Sequence, residues 1–186
     1  MIIFVQSLDA SLLHAIVALR TMTGTSLFIA VSELGSEIAI LGLTAVCALA
    51  LAARARYAES VGLLVAVGGA GAAMEIIKHL VARPRPGFAY AAFFESGYSF
   101  PSGHATESVA LYCFVAYLVA RLSPPGFARS AGLALLPLVA VLVSFSRLYL
   151  GVHYPSDVLA GMIIGGIFVA LGIVLTRRLE TRFQQQ

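Results

Sequence analysis

The sequence predicts an all-α polytopic membrane protein: a bundle of five transmembrane helices, or six if the N-terminal segment also crosses, preceded by interfacial helices. Three observations predict it. Hydrophobic residues fill 60% of the 186 positions and charged ones 11%, with a mean hydropathy of +0.93, which leaves too little polar surface for a water-soluble domain of this size. Several uncharged runs are long enough, or nearly so, to cross a hydrocarbon core of roughly 30 Å at about 1.5 Å per residue. The runs are continuous rather than alternating, which excludes a β-barrel. The chain reads as one domain, with interfacial helices over 1–36, the bundle over 37–178 and a cytoplasmic tail over 179–186.

Residues 1–34 carry Asp9, His14, Arg20 and Glu33 at intervals too short for a clean span. Leu8, Leu12, Ile16 and Leu19 recur at helical spacing, so an amphipathic helix in the interface is expected, then a short helix near 26–32. The alternative is a poor first span. Met1 is followed by no basic region and no cleavage site, so no signal peptide is expected. The first clear run, 38–53, ends at Arg54 and Arg56. A second runs from about Ser60 to Ala82, where Arg83-Pro-Arg-Pro-Gly breaks it because proline lacks the donor and disfavours helix in its predecessor. Residues 87–100 form an aromatic loop, with Phe88, Tyr90, Phe93 and Phe94 expected at the headgroup level. A third run opens at Pro101-Ser-Gly-His and closes at Arg121, a fourth covers about 131–146, and a fifth starts near Pro155 and stops at Arg177, Arg178 and Arg182.

Arg54/Arg56, Arg121/Arg129 and Arg177/Arg178/Arg182 fall at alternate ends of successive spans, which marks those ends as cytoplasmic. The opposite ends hold Lys78, Arg83, Arg85, His104, Arg147, His153 and Asp157. Basic residues on the wrong side need a reason, and an anionic ligand at the outer face supplies one. The net charge of +3 is scattered rather than gathered in a tract, so it reports topology and not nucleic acid. Cys47 and Cys113 lie inside apolar runs as packing residues, with no disulfide, metal or redox role. No internal repeat supports a transporter built from duplicated halves.

Three stretches hold the chemistry. His153 and Asp157 are four apart, so if the helix begins at or just before His153 they share a face. A carboxylate bonded to one imidazole nitrogen fixes the tautomer and leaves the other nitrogen as nucleophile or base; the plain alternative is a helix-cap pair. Pro101-Ser102-Gly103-His104 opens a helix whose free N–H groups and dipole favour an anion. Gly103 allows close approach of a ligand, Ser102 offers a hydroxyl, and His104 can protonate a leaving oxygen. Lys78, Arg85 and Arg147 supply cations, the arginines able to grip a phosphate with two N–H groups. Any one of the three could simply snorkel to headgroups.

Together these stretches read Lys78-x6-Arg85-Pro86, Pro101-Ser-Gly-His104 and Ser146-Arg147-x5-His153-x3-Asp157. They resemble the signature of the type 2 phosphatidic acid phosphatase superfamily, membrane phosphatases that share a phosphate site with vanadium haloperoxidases and non-specific acid phosphatases. Every fixed position is met. The resemblance implies that His153 forms a phosphohistidine, that Asp157 orients it, and that His104 protonates the departing group and then activates water. It implies a phosphate held by Lys78, Arg85, Arg147, Ser102 and Gly103, with no metal and no cofactor. Many relatives begin with a full first span, and this chain departs from them there.

Glu75, one turn before Lys78, is expected to pair with it, and Glu107, one turn after His104, to tune it or touch substrate. Arg83, His79 and His14 are expected at the interface rather than in the chemistry. The expected activity is hydrolysis of a phosphorylated membrane lipid, foremost undecaprenyl diphosphate, with phosphatidylglycerophosphate, phosphatidate and lipid A 1-phosphate as alternatives. A lipid phosphotransferase and an anion or phosphate transporter are the rivals. The resemblance implies a bacterial cytoplasmic membrane, a site facing the periplasm or exterior, a cytoplasmic C-terminus, and no obligate protein partner beyond lipid and bilayer.

Overall fold

A computed structural model describes the backbone of residues 2–87 and 89–183 and the side chains of 6–87 and 89–182; Phe88 lies outside the described residues. Among the described residues the secondary structure is entirely helical: α1 Ile2–Ala18, α2 Met22–Glu33, α3 Glu37–Ala52, α4 Tyr57–Val81, α5 Gly103–Ser108, a π-helical turn Val109–Cys113, α6 Phe114–Leu122, α7 Phe127–Tyr149 and α8 Pro155–Phe183. Five stretches are long and apolar enough to cross a membrane, as expected: Met22–Ala52, Tyr57–Val81, Gly103–Leu122, Phe127–Tyr149 and Pro155–Arg182. Both helices foreseen before Gly35 are present, but α2 runs into α3 through residues 34–36, so the first candidate span begins at Met22 rather than near residue 38 and takes in α2, which was expected in the interface. α8 carries on into the region expected to be the tail.

Gly103–Leu122 is the central rod, with 56% of its window buried, the largest share of the five. Its Ala110, Leu111 and Phe114 close an apolar core with Ile40, Leu63, Ala66 and Val67 of the helices around it. Large apolar residues elsewhere point outward, Met22 at 91% and Ile38 at 87% exposed, because in a bilayer the outer surface is solvated by lipid tails and helix contact depends on close packing. The same logic inverts α1. Leu8, Leu12 and Leu19, the expected stripe, are exposed, while Asp9 and Leu13, one turn apart, are the buried pair. α1 turns that face to α7 and α8.

The bundle has two chemically distinct ends. At one, Arg121 of α6 pairs with Glu180 of α8 at 2.6 Å, and Arg56 pairs with Glu59 at 3.0 Å. At the other, the C-terminal ends of α4 and α7 meet the N-terminal ends of α5 and α8, and the motif residues gather there. α4 and α8 make the largest helix contact, and near the first end it passes through Gly62 and Gly172. A Cβ on Gly172 would stand 2.5 Å from the Gly62 carbonyl oxygen, whereas one on Gly68 meets nothing within 4 Å. Gly172→Ala should therefore push the helices apart and cost about 1–3 kcal/mol, lowering the melting temperature in detergent. Gly68→Ala should leave it unchanged or raise it; equal effects would contradict the close crossing.

Candidate active site

Each motif is delivered by a helix end. Lys78 lies in the last turn of α4, which closes at Ala82 with φ 47° and its N–H on the Lys78 carbonyl. The alternating prolines that follow keep residues 83–86 extended, which carries Arg85 over the end of the bundle. Arg85 Nε donates to the Ser96 and Gly97 carbonyls at 3.2 Å. Its Nη1 donates to the Val152 carbonyl at 3.1 Å and contacts His153 Nε2 at 3.0 Å.

That last contact sets the tautomer. A guanidinium has no acceptor, so His153 Nε2 must present its lone pair, and the ring proton belongs on Nδ1. Nδ1 faces Asp157 Oδ2 at 3.6 Å. This is longer than a hydrogen bond, and Nδ1 is a buried atom with no other partner; such contacts commonly tighten when substrate binds. Burial holds the His153 imidazole below its ordinary pKa, against the raising effect of Asp157, so the ring is neutral with its unprotonated nitrogen toward Arg85.

α8 begins at Pro155, so His153 precedes the helix and meets Asp157 across the N-terminal turn rather than along a helical face. Pro155 suits the first helical position, where its missing N–H is not needed. Asp157 is the third residue of the helix and accepts the Tyr154 N–H at 2.9 Å, the acidic half of a capping box. It is wholly buried. Its Oδ2 also accepts the Ser99 hydroxyl, and its Oδ1 accepts Arg83 Nη1 at 2.6 Å. Arg83 is thus engaged with the site and is not the interface residue expected.

The Ser102–His104 turn is fixed to the same place, since the Ser102 N–H donates to the Asp157 carbonyl at 3.0 Å. Ser102 Oγ and Arg147 Nε are buried without partners, polar atoms that a bound ligand can satisfy. Lys78 Nζ lies 3.5 Å from where a Gly103 Cβ would stand. Gly35, in the α2–α3 joint, passes so close that its Cβ would be 3.3 Å from His104 Cδ2 and 2.4 Å from Val143. Arg147 is 2% exposed and donates from Nη1 to Ser32 Oγ of α2 at 2.6 Å.

Between the two arginines sits a residue the sequence left in an aromatic loop. Glu95 takes Arg85 Nη2 on Oε1 at 3.0 Å and Arg147 Nη2 on Oε2, with Oε1 4.0 Å from His153 Nε2. Burial would raise its pKa, but the Arg147 and Arg85 guanidiniums outweigh that and hold the carboxyl below its ordinary value. An anion is therefore already seated where two guanidiniums and the unprotonated His153 nitrogen converge. No periodicity or motif marked Glu95; only the three-dimensional approach of the loop reveals it.

A cleft of about 550 Å3 opens from this point, lined by His104, Lys78, Arg85 and Glu95 and by Glu37, Glu75 and Glu107. Glu75 reaches Lys78 at 3.9 Å and His79 at 3.3 Å, so the expected pairing is loose and shared. Glu107 shares the cleft with His104, its Oε1 3.0 Å from where a Cβ on Gly71 of α4 would stand. His14 and His79 lie instead against Tyr90 and Tyr98 in edge-on ring contacts. Among the described residues no group of three or more His, Cys, Asp or Glu is arranged to hold a metal ion.

The sequence profile of the PAP2 superfamily matches residues 59–180. Phosphatidylglycerophosphatase B of Bacillus subtilis (strain 168) is 30% identical over 162 residues, covering 87% of this chain and 79% of that protein. Lipid A 1-phosphatase of Rhizobium etli is 32% identical over 145 residues, 71% of this chain but 57% of that protein. The crystal structure of a transmembrane PAP2 type phosphatidylglycerolphosphate phosphatase from Bacillus subtilis superposes with a TM-score of 0.85 at 28% identity, covering 94% of this chain and 87% of that one.

Because Glu95 holds the place of an anion, Glu95→Gln should tighten binding of inorganic phosphate about tenfold, roughly 1.4 kcal/mol, measured by titration calorimetry of the purified protein. Weaker binding by the variant would mean that Glu95 does not compete for that place.

Proposed function

The chain belongs to the PAP2 superfamily, and on that premise we propose that it hydrolyses a phosphomonoester of a membrane lipid through a phosphohistidine at His153. The observation that carries this reading is the meeting of Arg85 and the charged Glu95 carboxylate beside the unprotonated Nε2 of His153. A phosphate that displaces Glu95 gains Arg85 Nη2 as one donor and Arg147 Nη2 with its unpartnered Nε as a bidentate pair, with Lys78, Ser102 and the Gly103 N–H at the start of α5 to complete the cradle. His153 Nε2 attacks phosphorus as the ester P–O bond breaks, and His104 gives its proton to the departing alkoxide. The imidazole becomes a phosphorylated cation facing Asp157. His104 then takes a proton from water, which attacks phosphorus, releases inorganic phosphate and restores His153. The arginines gain most where charge spreads over the transferring oxygens.

The leaving group narrows the substrate. On the His104 side of the site the cleft is lined by Glu37, Glu75 and Glu107, so a second phosphate there would stand among carboxylates. A lipid whose leaving group is an alkoxide avoids that repulsion, and phosphatidylglycerophosphate, the substrate class in the name of the Bacillus relative, is the first to test. This favours a monoester over the undecaprenyl diphosphate that ranked first from sequence. The packed apolar core beneath the site, with Leu63, Ala66, Ala110 and Phe114 at 0% exposure, favours an enzyme over a transporter. The arginines at the opposite end favour a site on the outer face of the cytoplasmic membrane, with the C-terminus inside.

A panel of purified lipids tests the reading. Phosphate release should be fastest from phosphatidylglycerophosphate or phosphatidate, with kcat/KM about tenfold or more above undecaprenyl diphosphate, a difference of roughly 1.4 kcal/mol, and should be the same with chelator present. Release from none of them would refute the phosphatase reading; preference for the diphosphate would refute the role given to the acidic cleft.

A further inference from the structure

Asp157 has a partner outside the three motifs, and that partner has one on the N-terminal helix. Arg83 Nη1 donates to Asp157 Oδ1 at 2.6 Å and to Ser156 Oγ at 2.7 Å, and Nη2 donates to Asp9 Oδ2 at 2.8 Å. Asp9, on α1 and 3% exposed, accepts the Ser156 N–H at 2.9 Å and the Ser156 hydroxyl at 2.5 Å. The hydrogen-bond directions close: Ser156 Oγ accepts from Arg83 and donates to Asp9, while each Arg83 terminal nitrogen donates to a carboxylate. The guanidinium carbon lies 4.1 Å from the centroid of the Tyr154 ring, and the Arg83 carbonyl accepts the Ser99 N–H at 2.8 Å. Burial alone would lower the Arg83 pKa, but Asp9 and Asp157 together raise it, so the group stays charged.

We propose that Arg83 and Asp9 are positioning residues for the His153–Asp157 pair, Arg83 fixing the Asp157 carboxylate and Asp9 holding Arg83 from α1. The inference rests on His153 being the nucleophile. Two effects follow from the geometry. Arg83 takes Oδ1 and leaves Oδ2 turned to His153 Nδ1, which sets the orientation. It would also neutralise Asp157, and a neutral pair does little for the cation that forms when His153 is phosphorylated. Asp9 offsets this: the chain Asp9, Arg83, Asp157 carries a net single negative charge beside the imidazole. α1 is thereby part of the reaction apparatus rather than only a surface helix. Lys in place of Arg83 has its three donors on one nitrogen and lacks the fork whose two terminal nitrogens reach Asp157 and Asp9.

The test is a double-mutant cycle on the full-length protein in detergent with phosphatidylglycerophosphate, phosphatidate and undecaprenyl diphosphate each assayed, kcat being normalised to the folded fraction. Asp9→Asn should lower kcat about tenfold, the effect of losing one nearby charge, with KM within about twofold because no substrate contact is removed. Arg83→Gln should lower kcat about 100-fold, as a misplaced catalytic group does. In the Arg83→Gln background Asp9→Asn should cost well under its tenfold effect in the wild type, since the link through Arg83 is already lost and only the bonds from Asp9 to Ser156 remain. Asp9→Glu, which keeps the charge, should recover most of the rate and serves if Asp9→Asn proves unstable. Unchanged kcat in Asp9→Asn, a loss shared equally by Asp9→Glu, or full additivity in the double variant would overturn the proposal. A wild-type protein inactive on every lipid would instead refute the phosphatase reading itself.

Discussion

Asp157 is a carboxylate with no exposed surface at the end of a membrane bundle, and a charge so placed survives only if neighbouring groups replace its water. Three do so from different parts of the chain: Arg83 beyond the end of α4, the Ser99 hydroxyl from the aromatic loop, and the Tyr154 N–H at the start of its own helix. The backbone of the same residue accepts Ser102. One buried aspartate thereby ties together the loop after α4, the start of α5 and the start of α8, the segments on which the motifs lie. The position of His153 follows from that tie.

The remaining side chains are organised by a second constraint, the need of clustered guanidiniums for anions. Arg85 and Arg147 come from the loop after α4 and the last turn of α7, and in isolation they would repel. Glu95 bridges them, with Ser32 on the far side of Arg147. The site is therefore assembled with its electrostatics already balanced, and on the proposed function a phosphate would enter by exchanging with a carboxylate rather than by filling an unbalanced cationic hole. This lowers the cost of keeping two arginines apart from water, and it sets a threshold that only a ligand with more charge or better geometry than a carboxylate passes.

Much of this was legible in the sequence. Uncharged runs bounded by arginine gave the spans, because helix length and bilayer thickness leave few alternatives, and the three motifs marked the residues that meet at one end. What escaped has a common physical cause. Arg83 and Asp9 are single charges beside apolar runs, where snorkelling is the ordinary account, and their mutual contact spans 74 positions. The stripe of Leu8 and Leu12 was visible, but in a bilayer it is the outward face, and the informative residue was the one polar group on the opposite side. Glu95 lies in a loop with no period to read. The His153–Asp157 spacing suggested a shared helical face; the helix starts two residues later and the capping geometry of Asp157 makes the meeting instead.

The central claim is that His153 Nε2 accepts the phosphoryl group. Rapid acid-free quenching of the protein during turnover of a 32P-labelled lipid, followed by peptide mapping, tests it most directly. The account predicts label that is acid-labile and base-stable, as a phosphorus–nitrogen bond is, and confined to the peptide containing His153. Label on another residue, or turnover with oxygen from water reaching phosphorus in a single step and no labelled protein at any time, would contradict it.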